Sequence, residues 1–390
     1  MVSLIFGAIV LSIALLEILL STTKIFENNY NRISTQAPLH FTIGPPFTLI
    51  QKTILYISSP QKNQLNFGHW TFINKMGFRE RNFALKKPKG VFRILVFGDS
   101  LTFGVGVNKD HRYTELLETM LNLGKENSPE SYVTGIDRML NDKQYMKKFE
   151  VINFGMPGYE ADQERELMES VLKIVESDLV IVGFCCNDLN MTTKTSLKAA
   201  GLADEGGGRY SLNIDGKLTE IYKGQGKSYS TIPLEEPKDF FQETHWYHGL
   251  KIFQFLEARS NVNVEVKLPT SARWKYFSRQ YQGMMALTKQ YRLPPPVVPL
   301  LLYGNVDPHQ NNFEHPKGEL SQLIRLYEFV GGRLKEQGFY VVNTLPLFKK
   351  YSGQSLAVSE WEWHPNYLGH YIYAKSIFEF LISNHLIPLH

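Results

Sequence analysis

The chain has 390 residues, 43% of them hydrophobic and 21% charged, with a net charge of +4. This composition excludes an intrinsically disordered chain and leaves room for one large domain with insertions or two smaller ones. Lysines and arginines are spread along the chain with no basic stripe, so no nucleic-acid partner is expected. The only cysteines, Cys185 and Cys186, are neighbours in an apolar run and read as small buried hydrophobes, not as a disulfide or a metal pair.

The first element in the chain is the apolar run from Val2 to Leu20, which is about the length needed to cross a bilayer. No Lys or Arg precedes it, and Ser21-Thr22-Thr23-Lys24 lacks an A-x-A-like cleavage site, so residues 1–24 are expected to form an uncleaved single-pass membrane anchor. A buried core helix is the alternative, because Glu17 is costly in lipid. Lys24 and Arg32 follow the span, a weak positive-inside signal for a cytoplasmic body. Residues 25–90 carry turn residues and aromatics with few periodic runs, and read as a connector packing on the main domain.

From residue 91 to 390 the pattern predicts an α/β domain in three layers, α/β/α, around a mostly parallel sheet. Strands are expected over 93–97, 150–154, 179–184, 297–302 and 340–343. Helices are expected over 113–123, 162–175, 320–336 and 366–384, with Pro365 in the first turn of the last one. The alternation lapses over 190–293, read as an insertion holding a hairpin around Asp215-Gly216. Its aromatics Tyr210, Phe240, Phe241, Trp246 and Tyr247 either stack on sugars or pack a core.

The expected strands end in polar signatures, where ligands of such sheets bind. Gly98-Asp99-Ser100-Leu101 follows the first strand, Asn153-Phe154-Gly155-Met156-Pro157-Gly158 spans the end of the second, Asn187-Asp188 follows the third, and His364-Pro365-Asn366 precedes the last helix. Ser100 is a weak nucleophile until a base takes its proton, and His364 is the candidate base. Attack on an ester carbonyl builds negative charge on its oxygen, which preorganised donors must receive.

In their order, these four blocks resemble the SGNH hydrolases, the GDSL-type esterases and acylhydrolases. Position 102 is threonine, which separates the first block from the G-x-S-x-G elbow of the α/β-hydrolases. The resemblance implies an acyl-Ser100 intermediate, with the backbone N–H of Ser100, the N–H of Gly158 and the side-chain amide of Asn187 as the oxyanion hole. Asp99 and Asp188 would brace their loops, Gly155 would serve its turn, and no metal or cofactor is implied. The family's orienting acid usually sits three residues before the histidine, where this chain has Trp361. Glu362 is the expected substitute, with Glu360 behind it and a backbone carbonyl as the third possibility.

The sequence thus points to a membrane-anchored serine esterase or acylhydrolase. By family habit its body is expected outside the cytoplasm and its substrate is a small-molecule or carbohydrate ester, acetyl among the candidates. An O-acetyltransferase using the same serine, or a non-catalytic glycan-binding or assembly protein, are the alternatives.

Overall fold

A computed structural model describes residues 69–123, 148–189, 268–305, 307–359 and 362–388, together with the backbone of five short strands at Phe47–Ile50, Leu55–Ser58, Asn63–Asn66, Arg209–Leu212 and Leu218–Tyr222. At its centre are five strands: β1 (Phe92–Phe97), β2 (Phe149–Asn153), β3 (Leu179–Val182), β4 (Val297–Leu300) and β5 (Tyr340–Asn343). Every neighbouring pair is parallel and the order across the sheet is β5-β4-β3-β1-β2. Ile94, Leu95, Val96 and Phe97 in β1, and all four residues of β3, are wholly buried. Apolar runs without polar alternation are what strands covered on both faces require.

The covering helices are α2 (Tyr113–Leu123), α3 (Ala161–Leu172), α4 (Ser271–Gln290), α5 (Gly318–Glu336) and α7 (Tyr367–Ser383), with two short ones, α1 (Ser100–Phe103) and α6 (Leu345–Lys350). The steps from β1 to β2 and from β2 to β3 cross the sheet in opposite directions, so right-handed crossovers put α2 and α3 on opposite faces. Tyr113 of α2 meets Tyr373 of α7 edge-on at 5.8 Å. Phe184, just past β3, joins Phe277 of α4 at 5.7 Å and Tyr327 of α5 at 5.1 Å. The strand order reverses beside β1, which opens a crevice between the carboxyl ends of β1 and β3.

Two features depart from the sequence reading. The segment expected as an insertion over 190–293 contains α4, a 20-residue helix. Its buried residues Phe277, Gln280, Tyr281, Met284 and Thr288 recur at helical spacing. Arg165 donates to Gln280 at 2.9 Å and Tyr276 to Asp162 at 2.8 Å, docking α4 on α3. Aromatic and basic residues interleaved over 273–281 hide that period in the sequence. Secondly, Pro365 does not open the last helix; it ends a strand, Glu362–Pro365, paired antiparallel with Ala357–Ser359. Asn366 is the N-cap, its side chain accepting the N–H groups of Leu368 and Gly369 at 3.0 and 3.2 Å, a service proline cannot perform.

The hairpin expected around Asp215-Gly216 is present as two antiparallel strands. Among the described residues no helix is long and apolar enough to cross a membrane. The anchor expected over 1–24 lies outside the described residues, as do Phe240, Phe241, Trp246 and Tyr247.

Candidate active site

Ser100 stands where β1 hands over to α1. Asp99 caps this one-turn helix, its carboxylate accepting the Leu101 N–H at 2.9 Å, and Ser100 is the first helical residue. The cap fixes where the serine sits, because Asp99 lies beside it and also satisfies one of the helix's free donors.

Asn153, the last residue of β2, holds that turn in place. Its amide nitrogen donates to the Thr102 carbonyl at 2.6 Å and to the Thr114 hydroxyl at 3.0 Å, and its oxygen accepts the Gly155 N–H at 2.7 Å. Gly155 passes so close to α1 that a Cβ there would stand 2.5 Å from the Phe103 nitrogen. The next glycine, Gly158, lies exposed at the rim with φ of 74°, a left-handed backbone that glycine adopts without penalty. The structure therefore gives the two glycines different surroundings: Gly155 is wedged under the helix and Gly158 faces the opening.

Beyond β3, a 3₁₀ turn spans Cys186–Leu189. The Asn187 amide nitrogen donates to the Tyr159 carbonyl at 2.7 Å, while its buried oxygen has no hydrogen-bond partner. Asp188 is buried and accepts the Cys185 N–H at 2.9 Å. The two cysteines part company here. Cys185 is buried, as expected, but Cys186 is only half-buried, because the turn carries it to the rim, where its Sγ lies 3.6 Å from the Tyr303 hydroxyl. Burial pushes the Cys185 thiol up, whereas the hydrogen bond with Cys185 draws Cys186 down.

His364 arrives on the strand Glu362–Pro365, which packs against α1. The Trp363 ring stacks on the imidazole, centroids 4.4 Å apart and planes 18° apart, and Tyr303 meets Trp363 at 4.8 Å. Glu362 belongs to the same strand, two positions earlier; Glu360 and Trp361 lie outside the described residues. Asp99, Ser100, Gly158, Asn187 and Asp188 thus lie just past the carboxyl ends of β1, β2 and β3, and the strand that bears His364 packs against α1.

Three acidic side chains lie buried near this site. Asp99, Asp188 and Glu164 are buried carboxyl groups, and neither oxygen of Glu164 has a hydrogen-bond partner. Burial is the main cause that raises all three. Like-charged neighbours add to it for Glu164 and Asp188, while the Leu101 N–H, His364 and hydrogen bonds with Cys185 and Asn187 oppose it for Asp99.

Two residues that hold the site are not legible in the sequence. Arg79 and Glu80, in the segment read as a connector, are buried. Arg79 donates to the carbonyls of Phe103, Gly104 and Val107, meeting the free acceptors at the end of α1 (3.3 Å to Phe103, 2.7 Å to Val107). Glu80 accepts the Asn153 N–H at 3.1 Å and lies within 3.8 Å of Arg112, Lys109 and Arg81. Between them they brace the loops beyond β1 and β2. The one available signal was alternation of both charge signs directly after apolar Phe78. Among the described residues, no three His, Cys, Asp or Glu side chains come together to hold a metal ion.

No family model matches the sequence, and no curated protein matches it. Among solved structures, the chain is similar to the acetyl xylan esterase AlAXEase at 12% identity and a TM-score of 0.38, covering 74% of this chain and 98% of that one. It is also similar to a member of the lipolytic protein G-D-S-L family from Veillonella parvula, at 12% identity and a TM-score of 0.34, over 74% of this chain and 97% of that one. A putative arylesterase from Agrobacterium tumefaciens matches at 12% identity and a TM-score of 0.34, over 76% of this chain and all of that one (100%). At this identity and these TM-scores, none of the three assigns this chain an activity.

Proposed function

We propose that the protein is an SGNH-type serine esterase that removes an acyl group through an acyl-Ser100 intermediate. The observation that carries this reading is that Ser100, Gly158 and Asn187 follow β1, β2 and β3 at the carboxyl end of the sheet, with the strand that bears His364 packed against α1. Ser100 Oγ attacks the ester carbonyl as His364 takes its proton. The carbonyl oxygen becomes an oxyanion and receives the N–H groups of Ser100 and Gly158 and an N–H of the Asn187 amide. Collapse expels the alcohol, protonated by His364, and leaves the acyl group on Ser100 Oγ. A water molecule, deprotonated by His364, then releases the acid and restores the serine.

Glu362, two residues before His364 on the same strand, is the residue proposed to orient it, in place of the acid that the family carries three residues before its histidine. The anchor proposed over 1–24 would tether the enzyme to a membrane, with its catalytic domain outside the cytoplasm.

Fluorophosphonate labelling with p-nitrophenyl acetate turnover tests the reading. The wild-type chain is expected to label and turn over, and Ser100→Ala to do neither. Turnover retained in Ser100→Ala would remove the nucleophile. Glu362→Gln is expected to lower kcat by several powers of ten, about 10⁴ in the serine-protease template, with Glu360→Gln near wild type.

A further inference from the structure

Among the described residues three large apolar side chains stand exposed, Phe72, Leu268 and Trp363, and Trp363 adjoins the candidate base. Trp363 is 40% exposed although its indole stacks on His364 at 4.4 Å. Tyr303, just beyond β4, lies 4.8 Å from Trp363 and reaches Cys186, the residue before Asn187, with its hydroxyl. The two rings, tilted 53° to each other, run as a wall from the histidine to the loop beyond β3. The exposed part of Trp363 is apolar surface placed directly beside the candidate base.

The chemistry of the reaction says which part of a substrate such a wall faces. His364 gives its proton to the departing alcohol oxygen, so the alcohol portion stands beside the imidazole. The carbonyl oxygen turns the other way, towards Gly158 and Asn187. A group flanking the imidazole therefore flanks the alcohol portion, and a flat aromatic surface there favours a flat or ring-shaped neighbour.

We propose that Trp363, with Tyr303, is the wall that selects the alcohol portion of the ester, and that the protein takes acyl esters of ring-bearing alcohols, aryl or pyranose, over those of small alkyl alcohols. This rests on the serine-esterase reading above. Trp363 is then a specificity-determining residue with no proton to transfer.

The test compares ethyl acetate, 2-naphthyl acetate and an acetylated methyl glucoside, with the acyl group held constant, on the full chain. Trp363→Ala is expected to lower the preference for the ring-bearing esters over ethyl acetate, as a ratio of kcat/KM, by about tenfold, and Trp363→Phe to restore most of it. The naphthyl and glucoside arms show which ring is taken. An equal loss on all three esters would mean that Trp363 only positions His364, and would overturn the proposal. Calorimetric titration of Ser100→Ala with the same ring-bearing esters reads binding apart from turnover. Binding abolished by adding Trp363→Ala supports the wall even if the wild-type chain hydrolyses none of the esters, an outcome that would sink the esterase reading alone. Binding unaltered by Trp363→Ala removes the wall.

Discussion

The Asn187 side-chain amide donates to the Tyr159 backbone carbonyl at 2.7 Å, tying the loop beyond β3 to the loop beyond β2 one residue after Gly158. Two of the proposed oxyanion donors are therefore held in one piece, and neither strand alone sets their spacing. Preorganisation of this kind matters because a donor that must be moved into place at each turnover stabilises the transition state less.

Asn187→Ala removes a donor and the tie together. It is expected to lower kcat by about a hundredfold or more, with a smaller change in KM, as for loss of one oxyanion donor. Steady-state kinetics on p-nitrophenyl acetate measures both. A change confined to KM would make Asn187 a binding residue.

Gly155→Ala and Gly158→Ala are expected to behave differently although they share a loop. At Gly155 the new methyl meets backbone, 2.5 Å from the Phe103 nitrogen and 2.7 Å from the Thr102 carbonyl carbon, so α1 must shift. Overpacking of this type costs about 1–3 kcal/mol, and turnover falls with it because α1 carries Ser100. Gly158→Ala sets an alanine at φ of 74°, at a cost of about 1–2 kcal/mol, with no helix to displace. Urea denaturation read beside ester turnover distinguishes the two; equal turnover in both variants would contradict the wedge at Gly155.

Glu80 tests the brace from the connector. Removing Glu80 leaves the buried Asn153 N–H without its acceptor, while Arg112 and Arg81 keep Glu115 and Glu118, so Glu80→Ala is expected to cost about 1–3 kcal/mol of folding stability. Glu80→Gln keeps an oxygen that can accept the Asn153 N–H, and a smaller loss is expected. A Glu80→Ala chain as stable as wild type in urea would show that residues 79–80 merely lie against the domain.

His370 and Glu164 shape opposite flanks of the stability curve. His370 accepts the Tyr113 N–H at 3.3 Å through Nδ1, and burial first, then Arg112 and Arg79, holds it well below the ordinary histidine range. Below a pH of about 6.5 the unfolded chain binds a proton that the folded chain refuses. Stability therefore falls as pH drops, by up to about 1.4 kcal/mol per unit. Glu164 works the other way. Burial first, then Asp99 and Asp162, raises it, so the folded chain keeps a proton that the unfolded chain releases above a pH of about 4.3. Stability consequently falls as pH rises towards the folded value. Glu164→Gln is uncharged and of the same shape, and its melting temperature is expected to exceed that of wild type by a margin that grows as pH rises above about 4.3. A margin that stays flat would show that Glu164 titrates as an ordinary carboxylate.

The sequence by itself determined what depends on neighbours in the chain. Ile94 to Phe97 reads as a strand covered on both faces, because a β-branched and aromatic run of four closed by Gly98 offers no polar side to water. The polar blocks at the strand ends, Asp99-Ser100, Asn153 to Gly158 and Asn187-Asp188, and His364 ahead of the last helix, were visible as well, because each interrupts or closes an apolar run. Tertiary structure decided everything that depends on partners distant along the chain. The sheet order that gathers those loops on one crevice is one case, and the burial of Arg79 and Glu80 is another, since a charged run turns inward only when carbonyls and cations elsewhere in the fold await it. The place of Trp363 against His364 is the last, because adjacency in a strand normally sends neighbours to opposite faces, and the local path of Glu362–Pro365 beside Ala357–Ser359, with its register shift, is set by pairing rather than by the residues themselves.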